Sequence, residues 1–219
     1  MKTKYLLPIL FSVFTVVASF YYFNKITKLF LVNTIAIQPL GYISNRESLD
    51  SLQILLKTFY KKRVVILHAI PLNSKYIDLS KGLRYDAEKI IKELASADYK
   101  RFDKVIGFTE SDIFMYRAVT KQTDLESMEI NDAWGIFGLG DKPGKSCVVS
   151  SYRLQDVSDS LTLHRIETVA KHEIGHTMGL DHCRRKGCVM NGSYHSVMSI
   201  DSLSGAYCKK CDRHLLYGY

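Results

Sequence analysis

The sequence predicts an α/β fold with α+β character: a mostly parallel twisted sheet with an antiparallel edge strand. Three observations predict it. Strand-type and amphipathic helical runs alternate through the first half, as in a parallel sheet. Two short strand-type runs then follow each other directly, which requires an antiparallel pair. A long helical run comes last, ahead of a loop-rich, irregular C-terminal region. The chain has 219 residues, 47% of them apolar, enough for one core of ordinary size.

In order, "NTIAIQPLG" (33–41) alternates apolar and polar residues like a strand. "ESLDSLQILLKTFYK" (47–61) places Leu49, Leu52, Leu56 and Phe59 on one helix face. "RVVILHAIPL" (63–72) reads as a buried strand ended by Pro71. "RYDAEKIIKELASADY" (84–99) is an amphipathic helix with Ile90, Ile91 and Leu94 inward. "KVIGFTESDIF" (104–114) is a strand and its exit. "WGIFGLG" (134–140) and "KSCVVSSYRL" (145–154) are short strands around the turn "GDKPGK". "SDSLTLHRIETVAKHEIGHTMG" (158–179) is a long helix with Leu163, Ile166, Ala170 and Ile174 near one face. No repeat or Pro/Gly/Ser-rich linker divides the chain, so residues 30–219 form one domain.

Residues 1–28 stand apart. Lys2 and Lys4 precede an apolar run from Tyr5 to Phe23, and Lys25 and Lys28 follow it. This pattern reads as a signal anchor or a cleaved signal peptide, and the run is long enough to cross a bilayer. The expectation is a membrane-anchored or exported protein with a single N-terminal span and the membrane as a partner. The net charge of +8 is scattered, its densest runs being "KKR" (61–63) and "RRK" (184–186). Without aromatics interleaved among the basic residues, nucleic acid is not an expected partner. The reading is of a monomer.

"HEIGHTMGLDHC" (172–183) carries the chemistry. His172 and His176 lie four apart on the helix, one above the other and about 6 Å apart along the axis. Two imidazoles so placed can converge on one ion. Glu173 lies beside them, where it can reach a metal-bound water as general base. Gly179 allows the positive φ that ends a helix abruptly, and His182 can then return to the same ion. This is the metzincin pattern. Three neutral imidazoles leave a fourth position open, as catalytic zinc requires. Met190, beside the turn dipeptide Asn191-Gly192, is the candidate methionine beneath the metal, with Met198 as its rival.

Cys183, Cys188, Cys208 and Cys211 run C-x4-C-x19-C-x2-C. Two close pairs split by about twenty residues read as a structural zinc site. Export would allow disulfides instead. Cys147, alone in a buried strand, reads as a small core hydrophobe.

Together these residues resemble the archaemetzincin family, whose signature joins the metzincin helix to four cysteines. His172, Glu173, His176, Gly179, Cys183, Cys188, Met190, Cys208 and Cys211 fall at its spacings, with His182 as third histidine. The resemblance implies a zinc metallopeptidase fold with two zincs per chain, one catalytic and one structural. It favours Met190 over Met198. It also implies that a peptide or protein substrate adds a strand to a sheet edge within 134–150. Tyr194 is a candidate helper, its bland reading being a surface aromatic. The alternative is a metal-stabilised binding or scaffold protein with weak or no hydrolysis, against which Glu173 speaks. Hydrolysis of a non-protein amide is also compatible with such a site.

Overall fold

The computed structural model of the chain describes residues 33–80, 82–122, 127–192 and 196–217. Its main sheet has five strands in the order β2-β1-β5-β9-β8. These are β1 (Thr34–Pro39), β2 (Arg63–Ile66), β5 (Lys104–Thr109), β8 (Gly138–Gly140) and β9 (Ser146–Ser150). Neighbours are parallel except for β8, which runs antiparallel to β9 and forms one edge. A second sheet, β3-β4-β6-β7, contains β3 (Ile77–Asp78), β4 (Arg84–Asp86), β6 (Ile113–Gln122) and β7 (Ser127–Ile136).

Helices cover both faces of the main sheet. Helix α1 (Arg46–Tyr60) and helix α3 (Asp159–Thr177) pack on one side. Leu49, Leu52 and Leu56 of α1 and Ile166, Val169 and Ile174 of α3 meet Ile35, Ile37, Ile106 and Val149 there. Helix α2 (Ala87–Leu94) covers the other side with Ile90, Ile91 and Leu94 against Ala36, Val105 and Val148. Ala36 and Ile37 thus face opposite layers, as strand alternation requires. Asn45 caps α1, accepting the Ser48 N–H, and Lys61 ends it in the left-handed region at φ 54°.

The strands and helices follow the expected order, but the strand expected over 63–72 ends at Ile66, and that expected over 134–140 is divided between β7 and β8 of different sheets. Three further differences stand out. The helix expected over 84–99 begins only at Ala87. Residues 84–86 pair instead with β3 and β6, and the Asp86 carboxylate caps α2 by accepting the N–H groups of Glu88 and Lys89. A ten-residue antiparallel pairing joins β6 to β7 where only the end of a strand was expected. The C-terminal region is not wholly irregular: it holds the short helices α4 (Val197–Asp201) and α5 (Lys209–Tyr217).

The expectation of a membrane partner and a membrane-anchored or exported location needs correction. Among the described residues, no helix is long and apolar enough to cross a membrane. The run at 5–23, assigned to a signal anchor or signal peptide, lies outside those residues. The fold therefore gives the membrane assignment no support.

Candidate metal centre

Helix α3 is capped by Ser158, whose hydroxyl accepts the Leu161 N–H. Just past its C-terminal end lies Gly179, with φ 87°. There the Gly179 N–H donates to the His176 carbonyl at 2.7 Å and the Leu180 N–H to the Gly175 carbonyl at 3.0 Å. This paired closure turns the chain sharply back toward the helix. The reversal brings His182 alongside His172 and His176. One ring nitrogen from each of the three lies within 4.8 Å of the others.

The ring orientations are set from behind. His172 donates Nδ1–H to the Val189 carbonyl at 2.8 Å, and His176 donates Nδ1–H to the Leu180 carbonyl at 2.8 Å. Both Nε2 lone pairs are thereby aimed at a common point. The two Nε2 atoms stand 3.0 Å apart. Nitrogens held at 2.0–2.1 Å from one tetrahedral zinc would be separated by roughly 3.3 Å. Burial, with the neighbouring His176 second, pushes the His172 pKa down to about 3. Burial also lowers those of His176 and His182. Neutral imidazoles are the form that binds metal.

Glu173 is buried beside the cluster under edge strand β8. Burial raises its carboxyl to about 8, against a hydrogen bond from the Gly140 N–H. Two glycines make room for it. A Cβ at Gly138 would lie 2.8 Å from Glu173 Cγ, and one at Gly140 would lie 2.6 Å from the Glu173 carbonyl oxygen. Neither glycine stood out in the sequence reading. Their signal was glycine at alternate positions of one strand, which marks close backbone approach.

Met190 is fully buried, and a Cβ on Gly175 would sit 2.5 Å from its sulfur. It therefore packs under α3, between the turns that carry His172 and His176. Met198 is 78% exposed and contributes nothing there. Gly192 is a further residue missed in the sequence, since a Cβ there would meet the His182 ring at 2.8 Å. Tyr194 lies outside the described residues.

The four late cysteines gather at the start of α5. Their sulfurs all lie within 4.8 Å of one another, with 3.8 Å between Cys183 and Cys208 and between Cys188 and Cys211. A disulfide needs about 2.05 Å. Four sulfurs at 2.3 Å around a tetrahedral zinc would be spaced roughly 3.8 Å apart. The Cys208 N–H donates to the Cys188 sulfur and the Arg185 N–H to the Cys183 sulfur. Burial opposes ionisation of Cys208, but the Cys211 and Lys210 N–H groups prevail and bring it down to about 7. Cys147 lies apart in β9, buried, with its thiol pKa raised chiefly by burial.

Comparison with known proteins agrees with this geometry. The family model for peptidase family M54 matches residues 45–216. The archaemetzincin of Natronomonas pharaonis is 31% identical over 170 residues, covering 74% of this chain and 87% of that protein.

The chain belongs to peptidase family M54, the archaemetzincins.

This is a family of zinc metallopeptidases, and the two side-chain clusters of this M54 chain can each hold a metal ion. The archaemetzincin of Methanocaldococcus jannaschii is 29% identical, covering 84% of this chain and 94% of its own. That of Methanopyrus kandleri is 34% identical over 110 residues, half of this chain and 54% of its own length. Among solved structures, the archaemetzincin of Archaeoglobus fulgidus, complexed with malonate, is 27% identical. It superposes with a TM-score of 0.66 over 82% of this M54 chain and 98% of its own. The M. kandleri structure, at 24% identity, shares the fold with a TM-score of 0.68 over 84% of this chain and 93% of its own.

Proposed function

We propose that the chain hydrolyses peptide bonds with one catalytic zinc held by His172, His176 and His182. A second, structural zinc would be held by Cys183, Cys188, Cys208 and Cys211. The observation that carries this is the convergence of three imidazoles beside a buried carboxylate. The donor sets fit two different tasks. Three neutral nitrogens leave a coordination position open, whereas four sulfurs close the site.

Zinc at the histidines would supply a Lewis acid and bring the pKa of a water toward ~7. The side chains do the rest. Glu173 takes a proton from the attacking water on its carboxylate and later returns it to the leaving amine. The Gly140 N–H orients that carboxylate. A carboxyl that titrates at about 8 without metal holds its proton at neutral pH. A divalent cation beside it favours the ionised form that acts as base. Val189 and Leu180, through their carbonyls, keep the imidazoles facing the reacting centre. On the outer side of β8 no strand of the described residues is paired. An extended peptide can add there and reach Glu173 across Gly138 and Gly140. The methionine role falls to Met190, and the site as a whole has the metzincin pattern.

The test is elemental analysis of the full-length chain with hydrolysis of quenched peptides. Two zincs per chain, and turnover lost in Glu173→Gln with zinc retained, are the expected results. No zinc in a folded chain overturns the proposal.

A further inference from the structure

Between the third-histidine loop and α5 lies a cavity of about 710 Å³. His182 lines one side of it. Arg184, Arg185, Lys210, His214 and Asp181 line the rest, together with Leu180 and two of the four clustered cysteines, Cys183 and Cys211. Arg184, Arg185 and Lys210 are exposed. Asp181, the one carboxylate of the lining, is paired with Lys142 from the β8–β9 turn. No carboxylate of the described residues forms an ion pair with Arg184, Arg185 or Lys210.

Part of this charge has a structural use. Four thiolates around a divalent ion carry a net charge of about −2, and nearby cations offset it. The same two segments, however, supply Arg184, Arg185, Lys186, Lys209, Lys210 and Arg213, opposed by Asp212. That exceeds what the cysteine site needs. Three of these cations, Arg184, Arg185 and Lys210, line a concavity that also carries His182 of the proposed catalytic centre. Guanidinium groups match carboxylates in a fixed two-point geometry.

We propose that this cavity is a substrate subsite that takes a carboxylate of the peptide, so that the enzyme selects acidic peptides at the position bound beside His182. The inference rests on the peptidase reading and deepens it. The carboxylate comes from an acidic side chain or from the peptide's C-terminus, and no Phe, Tyr or Trp lines the cavity.

The experiment uses the zinc-loaded full chain and quenched peptides differing only in Glu or Gln beside the cut. Each is made as a free acid and as an amide. Glu peptides are expected to show kcat/KM about ten-fold above Gln peptides, through KM, with the gap narrowing as salt rises. A gap between acid and amide instead assigns the pocket to the C-terminal carboxylate. Arg184→Gln, Arg185→Gln and Lys210→Gln should shrink the gap, and Arg185→Glu should turn the preference toward Lys peptides. Lys92→Gln, exposed on α2 across the sheet, should leave it unchanged. Peptide affinity for the zinc-loaded Glu173→Gln variant, read by fluorescence anisotropy, should follow the same order without turnover. Equal kcat/KM for Glu and Gln and for acid and amide overturns the subsite while the peptidase stands. Selective binding with no hydrolysis of any peptide overturns the peptidase and leaves the subsite. A preference that survives Arg185→Glu also overturns the subsite.

Discussion

Gly140 donates its backbone N–H to the Glu173 carboxylate while its own Cα lies so close to helix α3 that an added Cβ would sit 2.6 Å from the Glu173 carbonyl oxygen. One residue of the edge strand thus orients the proposed base and also sets how near the strand comes to the helix.

Gly140→Ala tests that double role. The new methyl group also meets His176 Cβ at 3.1 Å, so β8 must move away from α3. The expected outcome is a fall in kcat of roughly a hundred-fold or more, as for a misplaced reacting group. Stability should fall by about 1–3 kcal/mol, as in an overpacked core. Wild-type kinetics in a correctly folded Gly140→Ala protein would show that the base does not depend on this contact.

The metal-free protein should respond to pH at the same carboxyl. Glu173 titrates at about 8 in the fold instead of its ordinary 4.5. Between those values the unfolded chain has released a proton that the folded chain keeps, so stability falls as pH rises. The total is on the order of 5 kcal/mol, at ~1.4 kcal/mol per pKa unit. His172, brought from 6.5 to about 3, acts in the other direction, and its contribution is lost as pH falls below 6.5. Urea melts of chelated protein from pH 5 to pH 9 measure the sum. Glu173→Gln should remove the decline on the alkaline side; an unchanged slope would exclude Glu173 as its source.

Cys208→Ser and Cys211→Ser should each lower the zinc content from two per chain to one and cost several kcal/mol of stability, since a structural metal contributes folding energy directly. Elemental analysis and thermal melts decide. One zinc in wild type and variants alike would mean that the sulfurs hold no metal.

Asp201→Asn probes how α4 is fixed to α3. Arg165 is buried and reaches Asp201 through two bonds, at 2.6 and 2.8 Å. It also pairs with Asp156 and donates to the Leu154 and Gln155 carbonyls. Removing one carboxylate from this buried cation should cost roughly 2–4 kcal/mol. The readout is the urea midpoint, and a change within 0.5 kcal/mol would mean that Asp156 suffices.

The legible parts of this fold were those with long periodic patterns or dense chemistry. Helices α1 and α3 show their apolar faces over four turns or more, and the histidine spacing implies a shared helix face. The cysteine spacing likewise indicated one cluster. Helices α4 and α5 are five and nine residues long, too short for periodicity to separate them from loop. Strands β6 and β7 pair mainly with each other. Along β7 Met128, Ile130, Trp134 and Ile136 alternate with small or polar residues, interrupted by Asp132, whereas β6 shows no such alternation. Gly138 and Gly140 carried only a generic signal, glycine at alternate strand positions, because the neighbour that makes them necessary, Glu173, is more than thirty residues away. Gly192 is required by the His182 ring, which folding brings against it. The 5–23 run suggested a membrane by composition alone, and no described helix supports it.

Val189 links the two clusters. Its carbonyl orients His172, its N–H donates to Ala206 at 2.9 Å, and it stands between Cys188 and Met190. His172 is therefore aimed by a segment that is itself hydrogen-bonded to residue 206. During synthesis residue 206 leaves the ribosome more than thirty residues after His172. A growing chain would carry all three histidines and Glu173 for some time before their supporting frame existed. The order of residues along the chain thus makes the frame of the site the last part of it to emerge.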